Sequence, residues 1–212
     1  MLSQGEFVAV VDYGMGNLRS VEKGCLKVGL IPRVTSSPEE VRQAKAIVLP
    51  GVGAFRDCIH ELTRLKLLDT IIKSIQDGKP YLGICLGLQI LFTESEEFGH
   101  YEGMNIFPGR VIRFSNPTLK VPHMGWNSLN FQKNSPIFEG IDNRSFFYFV
   151  HSYYVIPDDT SIVSGTTDYG LNFTSMIWKD NVFACQFHPE KSQTVGLKIL
   201  HNFGKYISNE IQ

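Results

Sequence analysis

One cysteine of the sequence, Cys85, lies in a pattern that suits a nucleophile. Gly83 and Gly87 flank it as G-x-C-x-G, directly after an apolar run and directly before a helical pattern. On a sharp strand-to-helix turn the nucleophile projects above the sheet, and small neighbours leave it the room. The N-terminus of the following helix favours a thiolate. The pattern predicts thiol chemistry at Cys85, although a buried cysteine in a tight turn has the same short motif.

A histidine and a glutamate late in the chain could act as the base and the orienting carboxylate for that thiol. His188 ends an apolar run in the segment FHPE. Side chains at the carboxyl ends of strands face the ligand crevice of an α/β sheet. Glu190, two residues on, can reach back to orient the imidazole. Cys85, His188 and Glu190 would then be nucleophile, base and orienting carboxylate.

The turn Pro50-Gly51-Val52-Gly53 follows another apolar run and is rich in glycine. Attack on an amide carbonyl creates an oxyanion, which backbone N–H donors stabilise. We expect these donors from Leu86, the first residue of the helix after Cys85, and from Val52. A plain β-turn would have the same composition. Because glycine permits more than one peptide orientation, the second donor could be misplaced in the isolated chain and corrected on assembly.

Composition excludes several classes of protein. The chain has 212 residues, 43% of them hydrophobic, and a net charge of −1. It therefore has no basic stripe for nucleic acid or an anionic membrane. There is no signal-peptide pattern and no apolar run of the roughly 18 residues that span a membrane. We expect a cytoplasmic protein without a metal site, in which Cys25, Cys58 and Cys185 fill the core.

The first half of the chain alternates strand and helix patterns. Strands are predicted over Phe7–Val11, Ala46–Leu49 and Tyr81–Ile84. Asn17 is predicted to cap a helix that stops at Gly29. A long helix is predicted over about 54–76, and LGLQILFTESEE after Cys85 has a helical pattern as well. Strands joined by crossover helices imply a parallel sheet covered on both faces.

The second half has strand patterns with few helices between them. They cover Arg110–Phe114, Ser145–Val155, Ser161–Thr166, Phe173–Trp178 and Val182–Phe187. Their turn-rich connections predict antiparallel strands beside the parallel ones. A last helix is predicted over about Thr194–Ile207. With no repeat or linker, residues 1–212 are predicted to form a single α/β domain with a mixed, largely parallel central sheet flanked by helices.

Several segments resemble the motifs of the class I (triad) glutamine amidotransferases, whose architecture is flavodoxin-like. PGVGAF, GICLGLQ and FHPEKS occur here in the family's order. Within the family, VDYGMGNLRSV, PGVGAFRDC, VPHMGWN and FYFVHSYY are similar to the glutaminase subunits of imidazole glycerol phosphate synthases, from histidine biosynthesis. The resemblance covers nearly the whole chain.

The resemblance implies that glutamine is hydrolysed to glutamate and ammonia through a thioester on Cys85, without a metal or organic cofactor. His188 would protonate the ammonia and Glu190 would hold the imidazole. The glutamine site is expected at Gly51, Gly53, Gln89, His151, Ser152 and Tyr153. The expected partner is a (β/α)₈-barrel cyclase. This chain would bind it as a heterodimer through Asn17, Met124, Trp126 and Lys191.

Each of these residues also has a plainer interpretation. Gln89 could be a solvent-facing helix residue, Asn17 only a helix cap and Lys191 a solvated charge. Met124, Trp126 and the aromatic run from Tyr148 to Tyr153 could be core residues.

Other functions remain open on the sequence alone. A duplicated subunit of this kind could supply ammonia to another acceptor, such as an amidotransferase acting on a surface sugar. A thiol peptidase could use the same elbow, and a scaffolding module could keep only the fold. The glutamine-side motifs argue against the peptidase, and the presence of Cys85, His188 and Glu190 argues against the scaffold.

Overall fold

The computed structural model describes residues 5–115 and 117–209. The α-helices in those ranges are α1 (Leu18–Lys27), α2 (Pro38–Gln43), α3 (Phe55–Arg64), α4 (Leu67–Gln76), α5 (Leu86–Gln89) and α6 (Gln193–Ile207). The strands are β1 (Val8–Val11), β2 (Pro32–Thr35), β3 (Ala46–Gly51), β4 (Tyr81–Cys85), β5 (Phe92–Ser95), β6 (Tyr101–Glu102), β7 (Phe107–Arg113), β8 (His123–Ser128), β9 (Asn130–Phe131), β10 (Phe146–His151), β11 (Tyr153–Pro157), β12 (Val163–Asp168), β13 (Asn172–Lys179) and β14 (Val182–Cys185).

Most of these strands belong to one mixed sheet, in the order β2-β1-β3-β4-β14-β13-β11-β7-β5-β6, with β12 also paired to β13 and β9 paired to β12. The strands from β2 to β14 pair in parallel. From β14 to β13 the pairing becomes antiparallel. The strands β8 and β10 form a separate antiparallel ribbon. The predicted mixed α/β sheet is therefore confirmed, with the parallel and antiparallel strands hydrogen-bonded into the same sheet.

Helices cover both faces of the parallel strands. In β1, Val8 and Val10 face a core cluster that includes residues of α1 and α6. Ala9 and Val11 face a second cluster, which includes residues of α2, α3 and α4. All four side chains are fully buried. A strand covered on both sides needs an apolar residue at every position, which explains the continuous run in the sequence.

The first predicted helix is confirmed, together with its ends. The side chain of Asn17 accepts a hydrogen bond from the Ser20 N–H at 3.4 Å, as an N-cap does. Gly29, just past the helix, has a φ of +84°, which glycine adopts without strain.

Two helix predictions were wrong. The helix predicted over 54–76 is divided into α3 and α4 at Lys66, whose φ is +59°. The helical pattern after Cys85 ends at Gln89, and Phe92–Ser95 forms β5, which pairs with β7. Both apolar patterns are compatible with a helix locally. Residues Phe92–Ser95 nevertheless form a strand, because they pair with β7 in the sheet.

Shorter elements were missed. The predicted strand 145–155 is interrupted at Ser152, so that β10 joins the ribbon and β11 joins the large sheet. The strand β2 and the helix α2 had no prediction. The segment Pro32–Thr35 is only partly buried and has no apolar run, and the six residues of α2 are too few for a clear helical period.

The placement of the other cysteines in the core is confirmed. Cys25, Cys58 and Cys185 are buried and carry free thiols. Among the described helices, none is both long and apolar enough to cross a membrane. Within residues 5–115 and 117–209, no cluster of three or more His, Cys, Asp or Glu side chains could hold a metal ion.

Candidate active site

Three neighbouring parallel strands bring the predicted chemical residues to one edge of the sheet. In the register of β3 and β4, Gly51 lies beside Cys85. On the other side of β4, Cys185 of β14 lies beside Ile84, three residues before His188. Residues separated by about a hundred positions in the chain therefore meet at the carboxyl ends of adjacent strands, where α/β proteins bind ligands.

Cys85 occupies a sharp turn between β4 and α5. Its φ and ψ are +55° and −104°, a conformation that a non-glycine residue rarely adopts. A Cβ atom on Gly83 would collide with the carbonyl group of Gly87. A Cβ atom on Gly87 would collide with the carbonyl oxygen of Leu49. Both glycines of the G-x-C-x-G pattern are therefore required by close backbone contacts around Cys85.

His188 and Glu190 form a buried pair. The Nδ1 atom of His188 lies 2.8 Å from Oε1 of Glu190, and both side chains are almost fully buried. A carboxylate accepts hydrogen bonds, so the proton of this bond lies on Nδ1. Nε2 is then the atom free to exchange a proton, and in the described structure it has no hydrogen-bond partner. Ser192 Oγ, which donates to the His188 carbonyl at 2.6 Å, holds the turn.

The surroundings of His188 favour its charged form. Burial of the ring acts to lower its pKa, but the nearby charges of Cys85 and Glu190, together with the hydrogen bond from Nδ1 to Glu190, outweigh burial and raise the pKa well above the usual range of histidine. The site therefore favours an imidazolium beside the thiol. Such a cation can stabilise a thiolate and later protonate a leaving amine.

A cavity of about 320 Å³ opens next to Cys85. Its lining comprises Val52, Gly53, Cys85, Leu86, Gln89, Glu97, Pro122, Val150, His151, Ser152 and Tyr153. A larger open groove, of about 810 Å³, lies between α2 and α4, but its lining contains no cysteine or histidine. The cavity beside Cys85 is therefore the candidate substrate site.

Most of the residues expected to contact glutamine line this cavity, and Gly51 does not. Gly51 instead packs against Leu86 and the Tyr13 hydroxyl, where a larger residue would clash. Gln89 is buried, so its interpretation as a solvent-facing residue was wrong. Its Nε2 atom donates to the Tyr153 carbonyl at 3.1 Å. Leu86 begins α5, so its N–H lacks a partner within the helix and remains a candidate oxyanion donor together with Val52.

Glu97 was not predicted as a site residue. This carboxylate lines the cavity and accepts a hydrogen bond from the Phe55 N–H at 2.7 Å. Partial burial raises its pKa. No motif marks the residue, because it lies in a loop and reaches the site only through the fold. A carboxylate in a cavity that also contains a thiol can bind the ammonium group of an amino acid.

A buried histidine pair borders the same cavity. Nδ1 of His123 lies 3.0 Å from Nε2 of His151, and Nδ1 of His151 lies 2.8 Å from the Tyr153 carbonyl oxygen. Burial lowers the pKa of His123 to about 4 and that of His151 to about 3. Both rings are therefore neutral near pH 7, and together they help to hold the backbone at Tyr153.

The ribbon of β8 and β10 exposes an apolar surface. Met124 and Trp126 point outward, with exposed fractions of 62% and 46%. The interpretation of these two residues as core residues was therefore wrong. Trp126 contacts Tyr148 across the ribbon, and the ammonium group of Lys191 lies 5.9 Å from the Tyr148 ring centre. We call Met124, Trp126, Phe146, Tyr148 and Lys191 the ribbon face; Asn17, also exposed, caps α1.

The fold and the site are those of a cysteine-dependent acyl-transfer enzyme, with a nucleophile elbow, a buried His–Glu pair and an adjoining cavity. The chain belongs to the class-I glutamine amidotransferase family, whose model matches residues 9–206.

Comparisons with individual proteins agree with this assignment. A protein of Syntrophotalea carbinolica named imidazole glycerol phosphate synthase subunit HisH is 58% identical over 203 residues, which are 93% of this chain and 98% of that protein. The subunit of the same name from Geobacter sulfurreducens is 52% identical, with the same coverage of both chains. Among solved structures, that of PurLQS from Thermotoga maritima has a similar fold, with a TM-score of 0.74, 20% identity and coverage of 97% of this chain and 98% of that one.

Proposed function

We propose that this chain is the glutaminase subunit of an imidazole glycerol phosphate synthase and supplies ammonia for histidine biosynthesis in the cytoplasm. The observation that carries the proposal is the strained Cys85 beside the His188–Glu190 pair, at the mouth of a cavity of amino-acid size. The two relatives that bear this subunit's name match over 93% of the chain and support the pathway.

The proposed reaction uses a thioester. The Cys85 thiolate attacks the carboxamide carbon of glutamine, and the resulting oxyanion accepts hydrogen bonds from the backbone N–H groups of Leu86 and Val52. The C–N bond then breaks, and His188 gives its Nε2 proton to the leaving ammonia. Water then gives a proton to the now neutral His188 and attacks the thioester; the C–S bond breaks, which releases glutamate and restores the Cys85 thiolate and the imidazolium.

The cavity supplies groups for each end of glutamine. We assign the α-ammonium group to Glu97, the carboxylate of the cavity lining. Gln89, Gly53 and the segment from His151 to Tyr153 surround the remaining polar groups of the substrate. Because charged hydrogen bonds contribute about 1.5–3 kcal/mol, loss of the Glu97 charge should weaken substrate binding substantially.

A partner is proposed for the ribbon face. Exposed tryptophan, methionine and phenylalanine side chains are typical of protein interfaces. The ribbon also borders the active site, since Val150 and His151 of β10 line the cavity. We propose that a (β/α)₈-barrel cyclase binds here and receives ammonia directly, forming a heterodimer that also contacts Asn17.

The proposal is tested by measuring glutamate release from glutamine, first with the purified chain and then with a barrel cyclase carrying its nucleotide ligand. We expect slow hydrolysis by the isolated chain and strong stimulation by the cyclase. Hydrolysis that depends on Cys85 but is not stimulated would keep the glutaminase and reject the pathway, leaving another ammonia acceptor such as a sugar-modifying enzyme. Absence of glutamate release with every partner would reject the enzyme assignment.

The glutamine site is tested with Glu97→Gln. We expect KM for glutamine to rise roughly 10- to 100-fold, with a smaller effect on kcat, because the amide keeps the size of the side chain and loses its charge. Glu96→Gln is the matched control, since Glu96 pairs with Arg110 on the surface at 4.0 Å. An unchanged KM in the Glu97 variant would remove that residue from substrate recognition.

A further inference from the structure

Gln186 is a fully buried amide that the proposed triad does not use. It follows β14 directly, and its main-chain N–H donates to the Ser175 carbonyl at 2.8 Å, so its backbone is held by the sheet. Its side-chain Nε2 atom lies 3.5 Å from Sγ of Cys85. Its Oε1 atom lies 3.0 Å from Nε2 of Gln89.

The direction of these hydrogen bonds follows from one main-chain carbonyl. The Tyr153 oxygen can only accept, so the side-chain atom of Gln89 that faces it must be the NH₂ group. That same NH₂ group faces Gln186, which must therefore present its oxygen to Gln89. The NH₂ group of Gln186 is then directed at the sulfur atom of Cys85.

We infer that Gln186 is a positioning residue that donates a hydrogen bond to the Cys85 thiolate and fixes the direction of its attack. A buried thiolate needs donors, because a hydrogen bond to the charged form is what makes that form favourable away from water. His188 faces the sulfur as well, and Tyr13 and Cys185 are the other titratable groups close to it. The hydrogen bond to the sulfur that the structure shows comes from Gln186, whose amide does not titrate, so this bond persists whatever the protonation state of His188.

The inference deepens the proposed function, since it adds a group to the same site, but its test does not need glutamine. The rate at which iodoacetamide alkylates Cys85 is measured from pH 5 to pH 10 on the isolated chain, with the modified peptide identified by mass spectrometry. Burial raises the pKa of Cys25 and Cys58 to about 12 and that of Cys185 well above its usual range, so these thiols react slowly. A Cys85→Ala chain measures their residual contribution.

Two variants of nearly the same volume remove the donor. In Gln186→Met we expect the midpoint of the alkylation profile to move up by about one pH unit, and the rate below the midpoint to fall about tenfold. In Gln186→Glu we expect a larger upward shift, because a carboxylate beside a thiolate repels it. Midpoints equal to that of the unmodified chain in both variants would overturn the inference.

The control is Asn202→Leu, which removes another buried amide. The side-chain amide of Asn202 donates hydrogen bonds to the Ile137 and Glu139 carbonyls, at 3.0 and 2.8 Å, and not to the Cys85 thiol. We expect it to lower stability and leave the alkylation midpoint in place, which separates a structural loss from the loss of the donor.

A measurement on the unmodified chain covers the case in which the variants do not fold. The side-chain amide resonances of Gln186 should shift with the same pH midpoint as alkylation, and an invariant signal would overturn the inference. A shifted midpoint without glutaminase activity would uphold the role of Gln186 and reject the proposed function. Glutaminase activity together with unshifted alkylation midpoints in the Gln186 variants would uphold the proposed function and reject the role of Gln186.

Discussion

Two buried pairs lie near the cavity at Cys85: His188 with Glu190, and His123 with His151. The pKa values of their histidines move in opposite directions. His188 is pushed towards its charged form, whereas burial lowers the pKa of His123 and of His151 to about 4 and about 3. All three rings are almost completely inaccessible to solvent. Burial alone therefore does not decide the protonation state of a histidine in this fold.

The difference lies in the neighbours of each ring. His188 contacts the Glu190 carboxylate and faces the Cys85 sulfur, and both can carry a negative charge. His123 instead stacks on Tyr169, with ring centres 4.0 Å apart, and bonds His151 and the side-chain amide of Asn127. Desolvation opposes charge in both places, and only a nearby anion outweighs it.

The neutral pair has a single consistent arrangement of hydrogen atoms. His151 must donate from Nδ1 to the Tyr153 carbonyl, so its Nε2 accepts from Nδ1 of His123. Nε2 of His123 then accepts from Asn127, whose amide also donates to the Asp168 carbonyl at 2.8 Å. Protonation of either ring would add a hydrogen with no acceptor. The His188–Glu190 pair is suited to transfer protons, and the His123–His151 pair is suited to hold the backbone at Tyr153, the first residue of β11.

The largest effect is expected from Cys85→Ala, which removes one of the two anions that charge His188. Glutamate release should fall roughly 10⁴-fold or more, because no other group can form the thioester, while partner binding should persist. The pKa of His188, followed by NMR, should fall. Cys58→Ala, which removes a buried thiol from α3, should retain glutamate release. Undiminished hydrolysis by Cys85→Ala would remove the triad assignment.

A smaller but still large effect is expected from Glu190→Gln, which gives His188 an uncharged neighbour like those of the other pair. The amide can donate to Nδ1 and favour the wrong tautomer, so kcat should fall roughly 10³-fold with little change in KM. The pKa of His188 should fall as well. Glu61→Gln is the control, because Glu61 lies 3.3 Å from His60 in a surface His–Glu pair. A kcat close to that of the unmodified chain would mean that Glu190 does not orient the base.

The smallest predicted effect is on the pH dependence of the free energy of unfolding. The folded pKa values of His123 and His151 lie below the unfolded value of about 6.5, so the unfolded chain binds more protons between these limits. Their contribution to stability is fully present above about pH 6.5 and is lost as the pH falls towards 4 and 3. His188 has the opposite sign: its contribution is present below about pH 6.5 and is lost as the pH rises through its raised pKa.

His151→Gln measures that contribution, because the amide can still accept from His123 and donate to Tyr153. Between pH 6.5 and pH 4, the free energy of unfolding should depend on pH less steeply, by up to about 1.4 kcal/mol per pH unit. Urea unfolding at several pH values gives the slopes. His201→Gln, which removes an exposed histidine from α6, shows the effect of histidine number alone. An unchanged slope in the His151 variant would mean that this ring is not neutral in the fold.

Local patterns in the sequence were sufficient to predict much of the fold, the sharp turn at Cys85 and the contact between His188 and Glu190. The apolar runs of β1, β3 and β4 predicted buried parallel strands, since a strand covered on both faces has no polar position. The spacing in G-x-C-x-G and in HPE predicted the elbow at Cys85 and the contact between His188 and Glu190, because both depend on residues within two positions of each other.

The contacts between distant residues were decided by the tertiary structure. Gln186 and Cys85 are 101 positions apart, and Glu97 and Phe55 are 42 apart, so no local spacing reveals that they meet. Likewise, the break at Lys66 lies in a continuous helical pattern without glycine or proline. Sequence periodicity records which faces are apolar, but the neighbours of a buried polar group are known only when the strands are paired in register. That pairing made His188 a candidate acid and kept His123 and His151 neutral.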